Sequence, residues 1–181
     1  CEKRGVKQIL HLGDYYDHRK FVNFKALNQN RRVFLDQLRK HNMVMDIIPG
    51  NHDTYYKNTN ELNALKECLG HYMNEVHIIM EPTVMQYGSL SMALLPWICA
   101  DNYEPSMSFI RDCKADWLGA HLELANFEIG RGILAPHGMD AKIFKKFEQV
   151  LSGHYHTASL RDNIWYLGNP MEFFWSDAHD P

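Results

Sequence analysis

The chain has 181 residues, a formal net charge of −3 and an apolar fraction of 45%. That is enough apolar material for one real core and too much for a disordered chain, and no apolar run approaches the roughly 20 residues of a membrane span. The charge balance neither demands a nucleic-acid partner nor forbids one, because bound divalent cations would add positive charge that the formal count omits. The four cysteines (Cys1, Cys68, Cys99 and Cys113) form no C-x-x-C pair. Reduced thiols in a cytoplasmic protein are therefore expected, not a disulfide framework or a zinc knot. The chain starts at Cys1 without a methionine and stops at Pro181, and it is expected to be one domain, residues 1–181, incomplete at both ends.

Residues 6–12 form an apolar run that stops at Gly13 and read as a buried strand. Residues 21–41 place Phe24, Leu27, Phe34 and Leu38 near helical spacing, with Lys, Arg, Asn and Gln on the other face. Residues 43–48 are the next strand, closed by Pro49-Gly50, and residues 61–69 a short helix ended by Gly70. Three short apolar runs follow at 75–80, 83–87 and 90–95, separated by Pro82 and Gly88, and suggest antiparallel strands. Residues 101–105 read as a loop and 107–114 as one or two helical turns. Residues 117–120 read as a strand delivering His121, 141–147 as a short helix, and 148–151, 158–160 and 164–167 as strands. Strand and helix alternate in the first half, and strands dominate the second. The expected class is α/β with one mixed sheet or two sheets packed together.

Three phrases follow apolar runs: Gly13-Asp14-Tyr15-Tyr16-Asp17, Gly50-Asn51-His52-Asp53 and Gly153-His154-Tyr155-His156. Each joins a glycine, which permits a sharp turn and close approach, to residue types that bind metals. In open α/β sheets such strand ends gather at one edge. Taken singly, each phrase has an ordinary reading: a strand-to-loop transition, Asn-Asp turn chemistry, or two histidines on one face of a strand. Their conjunction, with His121 between the second and third, points to a metal centre. Asp14 offers a carboxylate able to bridge two cations, Asn51 an amide oxygen, and His121, His154 and His156 ring nitrogens. A mixed oxygen and nitrogen set suits Mn²⁺, Fe²⁺ or Zn²⁺ better than Mg²⁺ or Ca²⁺. Two such ions can activate a hydroxide and clamp both oxygens of an in-line phosphoryl displacement. Asp17 has two readings, orienting His52 or capping the following helix. Arg19 and Lys20, with His18, Arg31 and Arg32, could touch a DNA backbone or simply be a solvated charged patch. The remaining histidines (His11, His18, His41, His71, His77, His137 and His179) read as structural or surface residues.

These phrases, with Leu95-Pro96-Trp97, the segment 119–124, the segment 152–157 and Tyr166-Leu167-Gly168-Asn169-Pro170, resemble the calcineurin-like metallophosphoesterase superfamily. Within it the chain looks like the SbcD-type nuclease subunit of DNA double-strand-break repair and recombination complexes, in its phage recombination-exonuclease branch. The resemblance implies a sandwich of two mixed sheets flanked by helices, here lacking its first strand. It implies a two-metal, manganese-using phosphodiesterase acting on DNA as exonuclease or endonuclease. Asp14 would bridge the ions, Asn51, His121 and His154 would complete one site, and His156 would belong to the other. His52 would be the general acid, with Asp17 beside it. The implied partners are DNA, an SbcC-type ATPase subunit and a second copy of the chain, with no membrane, in the cytoplasm (of the host, for a phage protein). The family's opening Asp-x-His phrase is not found ahead of Gly13, so the first metal site is expected to be incomplete. A phosphomonoesterase or nucleotidase of the same superfamily, and a catalytically impaired fragment that binds metal only, are the alternatives. A protein serine/threonine phosphatase is disfavoured, because His18-Arg19-Lys20 follows Asp17 and Pro49 precedes Gly50.

Overall fold

The computed structural model describes residues 2–130, 132–173 and 175–177; Cys1 and His179, read above from sequence, lie outside them. In chain order the strands are β1 (Gln8–His11), β2 (Val44–Ile47), β3 (Val76–Ile78), β4 (Thr83–Tyr87), β5 (Leu90–Leu95), β6 (Trp117–His121), β7 (Glu128–Gly130), β8 (Ile133–Leu134), β9 (Gln149–Gly153), β10 (Ser159–Arg161) and β11 (Ile164–Tyr166). They make a three-stranded parallel sheet, β1-β2-β3, a six-stranded mixed sheet, β10-β11-β9-β6-β5-β4, and a β7-β8 ribbon. In the larger sheet β5, β6, β9 and β11 run parallel, while β4 and β10 are antiparallel edges. The class is the expected α/β sandwich with flanking helices.

Three apolar clusters hold these layers together. Leu12, Ile48, Met92 and Leu94 form the core between the two sheets. Leu35, Leu38, Leu65, Leu69 and Tyr72 cover the outer face of the small sheet against Met45 and Ile47. Ile110, Phe144 and Phe147 cover the outer face of the large sheet with Ala93, Leu118 and Val150. The strands buried on both faces have near-continuous apolar sequence, as parallel strands covered on both sides require.

The expected helix over 21–41 is one helical run in three parts: α1 (Phe24–Asn30), a π-helical turn (Arg31–Leu35) and α2 (Asp36–Lys40). Its cap is Asn23, whose side chain accepts from the backbone N–H of Lys25 and Ala26. Asp17 therefore does not cap it. The second helix is α3 (Ala64–Leu69), capped by Asn63. A further helix, α4 (Tyr103–Asp112), replaces the expected loop over 101–105. Pro105 sits in its first turn, where its missing N–H has no intrahelical acceptor to lose. The three runs at 75–95 divide between sheets. Only β4 and β5 pair antiparallel, while β3 pairs in parallel with β2, because the chain crosses from one sheet to the other around Pro82. Among the described residues, no helix is long and apolar enough to cross a membrane.

A buried carboxylate ties the two sheets at the end away from the three phrases. Asp46 on β2 is fully buried and accepts from Gln8 Nε2 (2.9 Å) and Tyr87 O–H (2.8 Å), and lies 2.8 Å from His77 Nδ1. Tyr87 belongs to the large sheet, so this bond crosses the sandwich. Asp46→Ala strips three partners of their acceptor and is expected to cost on the order of 3 kcal/mol. The test is the urea midpoint at unchanged slope. A loss under about 1 kcal/mol would mean that solvent satisfies these groups equally well.

Candidate metal centre

β1, β2, β6 and β9 end at the same edge of the sandwich, and the three phrases and His121 stand on those ends. Asp14 and Asn51 come from the small sheet, and His121 and His154 from the large one. The ligand atoms of Asp14, His121 and His154 all lie within 4.8 Å of one another. His121 Nε2 is 3.3 Å from Asp14 Oδ2 and 3.0 Å from Asn51 Oδ1. His154 Nδ1 is 2.8 Å from Asn51 Oδ1 and 3.3 Å from His121 Nε2.

His121 is almost wholly buried, and its Nδ1 lies 2.6 Å from the Leu12 carbonyl. A carbonyl only accepts, so Nδ1 carries a proton, and the ring turns Nε2 toward the cluster. There it faces a carboxylate oxygen, an amide oxygen and a second imidazole. Four groups able to ligate a metal thus converge at 2.8–3.3 Å from one another. The donor set is thus compatible with a divalent cation, and its two nitrogens and two oxygens fit Mn²⁺, Fe²⁺ or Zn²⁺.

The electrostatics keep the donors in their binding forms. Burial, reinforced by His121, pushes the His154 pKa down to about 3, so its ring is neutral. Burial on its own would raise the Asp14 carboxyl, but the His121 ring and the His52 backbone N–H, which donates to Asp14 Oδ1 at 2.7 Å, hold it below the usual range. Burial and then His121 bring His11 down to about 4, and its buried Nδ1 has no hydrogen-bond partner among the described residues.

Two devices bring the strand ends this close. The first is absence of side chain. A Cβ on Gly13, whose φ is +89°, would lie 2.6 Å from both Gly50 N and His121 Nδ1, and one on Gly153 would lie 2.5 Å from the Leu12 carbonyl oxygen. The second is Asp53, fully buried, whose carboxylate accepts from Gly50 N–H (2.9 Å) and Tyr16 N–H (3.1 Å) and so knots the first phrase to the second. Burial, partly offset by these backbone donors, raises its pKa to about 6. Sequence reasoning gave Asp53 no role. Its signal was an acid three residues after a glycine at a turn.

His52 is exposed beside Asp14, and its Nδ1 lies 2.5 Å from the backbone carbonyl of Asp17. Residue 17 thus orients the ring through its main chain. Its carboxylate, expected to do so, lies instead 3.3 Å from His18 Nε2, in solvent. His156 is exposed two residues beyond His154 and stands outside the cluster. Trp97 closes one side, its ring centroid 5.4 Å from that of His154 and 5.8 Å from that of His121. Arg19 donates to Thr54 O and Oγ1 at 3.3 and 3.2 Å, and Lys20 lies over the Tyr55 ring.

No family model matches the chain. It is 31% identical, over 180 residues, to exonuclease subunit 1 of Enterobacteria phage T4. The likeness covers 99% of this chain and 52% of that protein, so the chain spans about half the length of the curated relative it matches. The whole candidate centre falls within the matched stretch.

Gly13→Ala combines a disfavoured φ with a steric clash at the cluster. It is expected to weaken binding of a divalent cation by about 10–100-fold, as loss of a supporting contact does at metal sites. Calorimetric titration checks this, and unchanged affinity would show that the close approach is dispensable.

Proposed function

We propose that this chain carries the catalytic core of a divalent-metal-dependent phosphodiesterase of the calcineurin-like type, acting on DNA as an exonuclease. The observation that carries the reading is the meeting of Asp14, Asn51, His121 and His154 donor atoms at one edge, with His52 beside them. The match to a phage exonuclease subunit supports DNA as the substrate and an assembly with a partner subunit.

Asp14, Asn51, His121 and His154 would hold one ion, and Asp14 with His156 would be this chain's share of a second. Manganese is the proposed metal. When bound, such ions supply Lewis-acid activation of the phosphate and of the attacking water. The chain's own residues do the rest. The Gly50-Asn51-His52-Asp53 turn presents His52 beside Asp14, because Asp53 holds the turn from within and Asp14 Oδ1 receives the His52 N–H. The Asp17 carbonyl fixes the His52 ring through Nδ1, leaving Nε2 as the nitrogen that exchanges a proton. In the imidazolium form His52 can donate that proton to the leaving oxygen. Leu12 keeps the His121 proton on Nδ1, away from the reaction.

In a Mn²⁺-dependent assay on duplex DNA ends, a bis-aryl phosphodiester and a phosphomonoester, cleavage is expected of the first two only, at a rate lowered by the incomplete second site. Asp14→Ala should abolish cleavage together with Mn²⁺ binding. His52→Ala should lower kcat by about 10²–10⁴-fold and leave Mn²⁺ affinity within about twofold. Equal activity of the parent chain and His52→Ala would exclude the acid role, and cleavage of the monoester alone would replace the nuclease reading with a phosphatase.

A further inference from the structure

Beyond the ligand cluster, on the His52 side, two segments expose aromatic rings interleaved with cations. In residues 17–21, His18 and Phe21 pack ring to ring, centroids 4.6 Å apart and 32° from parallel. In residues 54–57, Tyr55 and Tyr56 meet edge to face at 4.8 Å. Phe21 is 67% exposed and Tyr56 52%, so each offers ring surface to solvent. Arg19, Lys20 and Lys57 accompany them, against the single acid Asp17, whose carboxylate is engaged by His18.

The two segments are tied to each other and to the fold. Arg19 ties the first segment to Thr54 by two hydrogen bonds, and Lys20 Nζ sits 5.6 Å from the Tyr55 ring centroid. The backbone under Tyr55 is fixed by its N–H to Leu62 O (2.9 Å) and by a bridge between Thr54 and Asn63. The first segment continues directly from Asp14, and its Asp17 carbonyl orients His52. Both aromatic segments thus adjoin His52, one through the Asp17 carbonyl and the other as the continuation of the His52 turn.

We propose that this rim is a stacking platform for the unpaired bases of a nucleic-acid strand whose backbone runs past Arg19, Lys20 and Lys57 toward His52; the proposal rests on the phosphodiesterase reading above and names how its substrate is held. Exposed rings flanked by cations meet both needs of a single strand, a π-face for each base and positive charge for each phosphate. A duplex offers phosphates to the cations but no free base face to the rings. Strands with unpaired bases at the site are therefore held more tightly than blunt duplex.

The test is binding, measured with metal chelated so that hydrolysis plays no part. Fluorescence anisotropy compares labelled oligo(dT), an abasic strand of the same length, and a blunt hairpin duplex. Wild type is expected to bind oligo(dT) at least about tenfold tighter than the abasic strand or the duplex. Tyr55→Ser and Phe21→Ser should each weaken oligo(dT) by about 5–100-fold and leave the abasic strand unaffected. Tyr55→Trp should retain binding, and Lys20→Gln should lower the salt slope for all strands by about 0.7. Circular dichroism melts confirm that the variants fold. Equal affinity for abasic and base-bearing strands, no measurable oligo(dT) binding, or indifference to both ring substitutions overturns the platform. Base-dependent binding by a chain that hydrolyses nothing would keep the platform and discard the enzyme, and hydrolysis without base dependence would do the reverse.

Discussion

The hydrogen bond from His121 to the Leu12 carbonyl organises this molecule. It joins the end of β6 in the large sheet to the end of β1 in the small one, and it fixes the orientation of the most buried candidate ligand. The Leu12 carbonyl is free to receive it because the chain turns away at Gly13, and there is room for it because Gly13, Gly50 and Gly153 have no Cβ to interpose. The same contact thus sets sheet docking, ligand geometry and the direction of Nε2. A substituent at any of the three glycines would disturb all three.

Asp53 and Asp46 serve the sandwich in complementary ways. Asp46 tethers the sheets at one end through Tyr87, and Asp53 gathers the loops at the other through two backbone donors. Both are fully buried carboxylates, and both are tolerated because their oxygens are satisfied by donors fixed elsewhere in the fold. Asp46 limits how far the sheets can slide, and Asp53 fixes the two ligand-bearing loops of the small sheet to each other.

Much of the site could be read before folding was considered. A strand that is apolar on both faces, then a glycine, then a ligand residue is a local pattern, and it recurs at Asp14, Asn51 and His154. What escaped the sequence depended on the backbone or on long-range choice. The Leu12 and Asp17 carbonyls carry no side-chain signature, so the partners of His121 and His52 were invisible, and the Asp17 carboxylate received a task that its main chain performs. Asn23 displaced Asp17 as helix cap because it stands directly before the first helical residue. The run that became β3 looks like its neighbours β4 and β5, and nothing local says that it joins the other sheet. α4 was obscured by Pro105, which breaks a helix interior but not a first turn. The ribbon β7-β8 is short and largely exposed, so it has little apolar alternation to detect.

The division of donors between the sheets has a chemical meaning of its own. The small sheet contributes only oxygens, from Asp14 and Asn51, and the large sheet only nitrogens, from His121 and His154. Oxygen donors by themselves are the coordination preferred by magnesium and calcium, and imidazoles draw the later transition ions. Neither half of the sandwich has the intermediate character that suits manganese or iron. The candidate donor set takes on that character only where the halves dock, through tertiary structure and through no single motif.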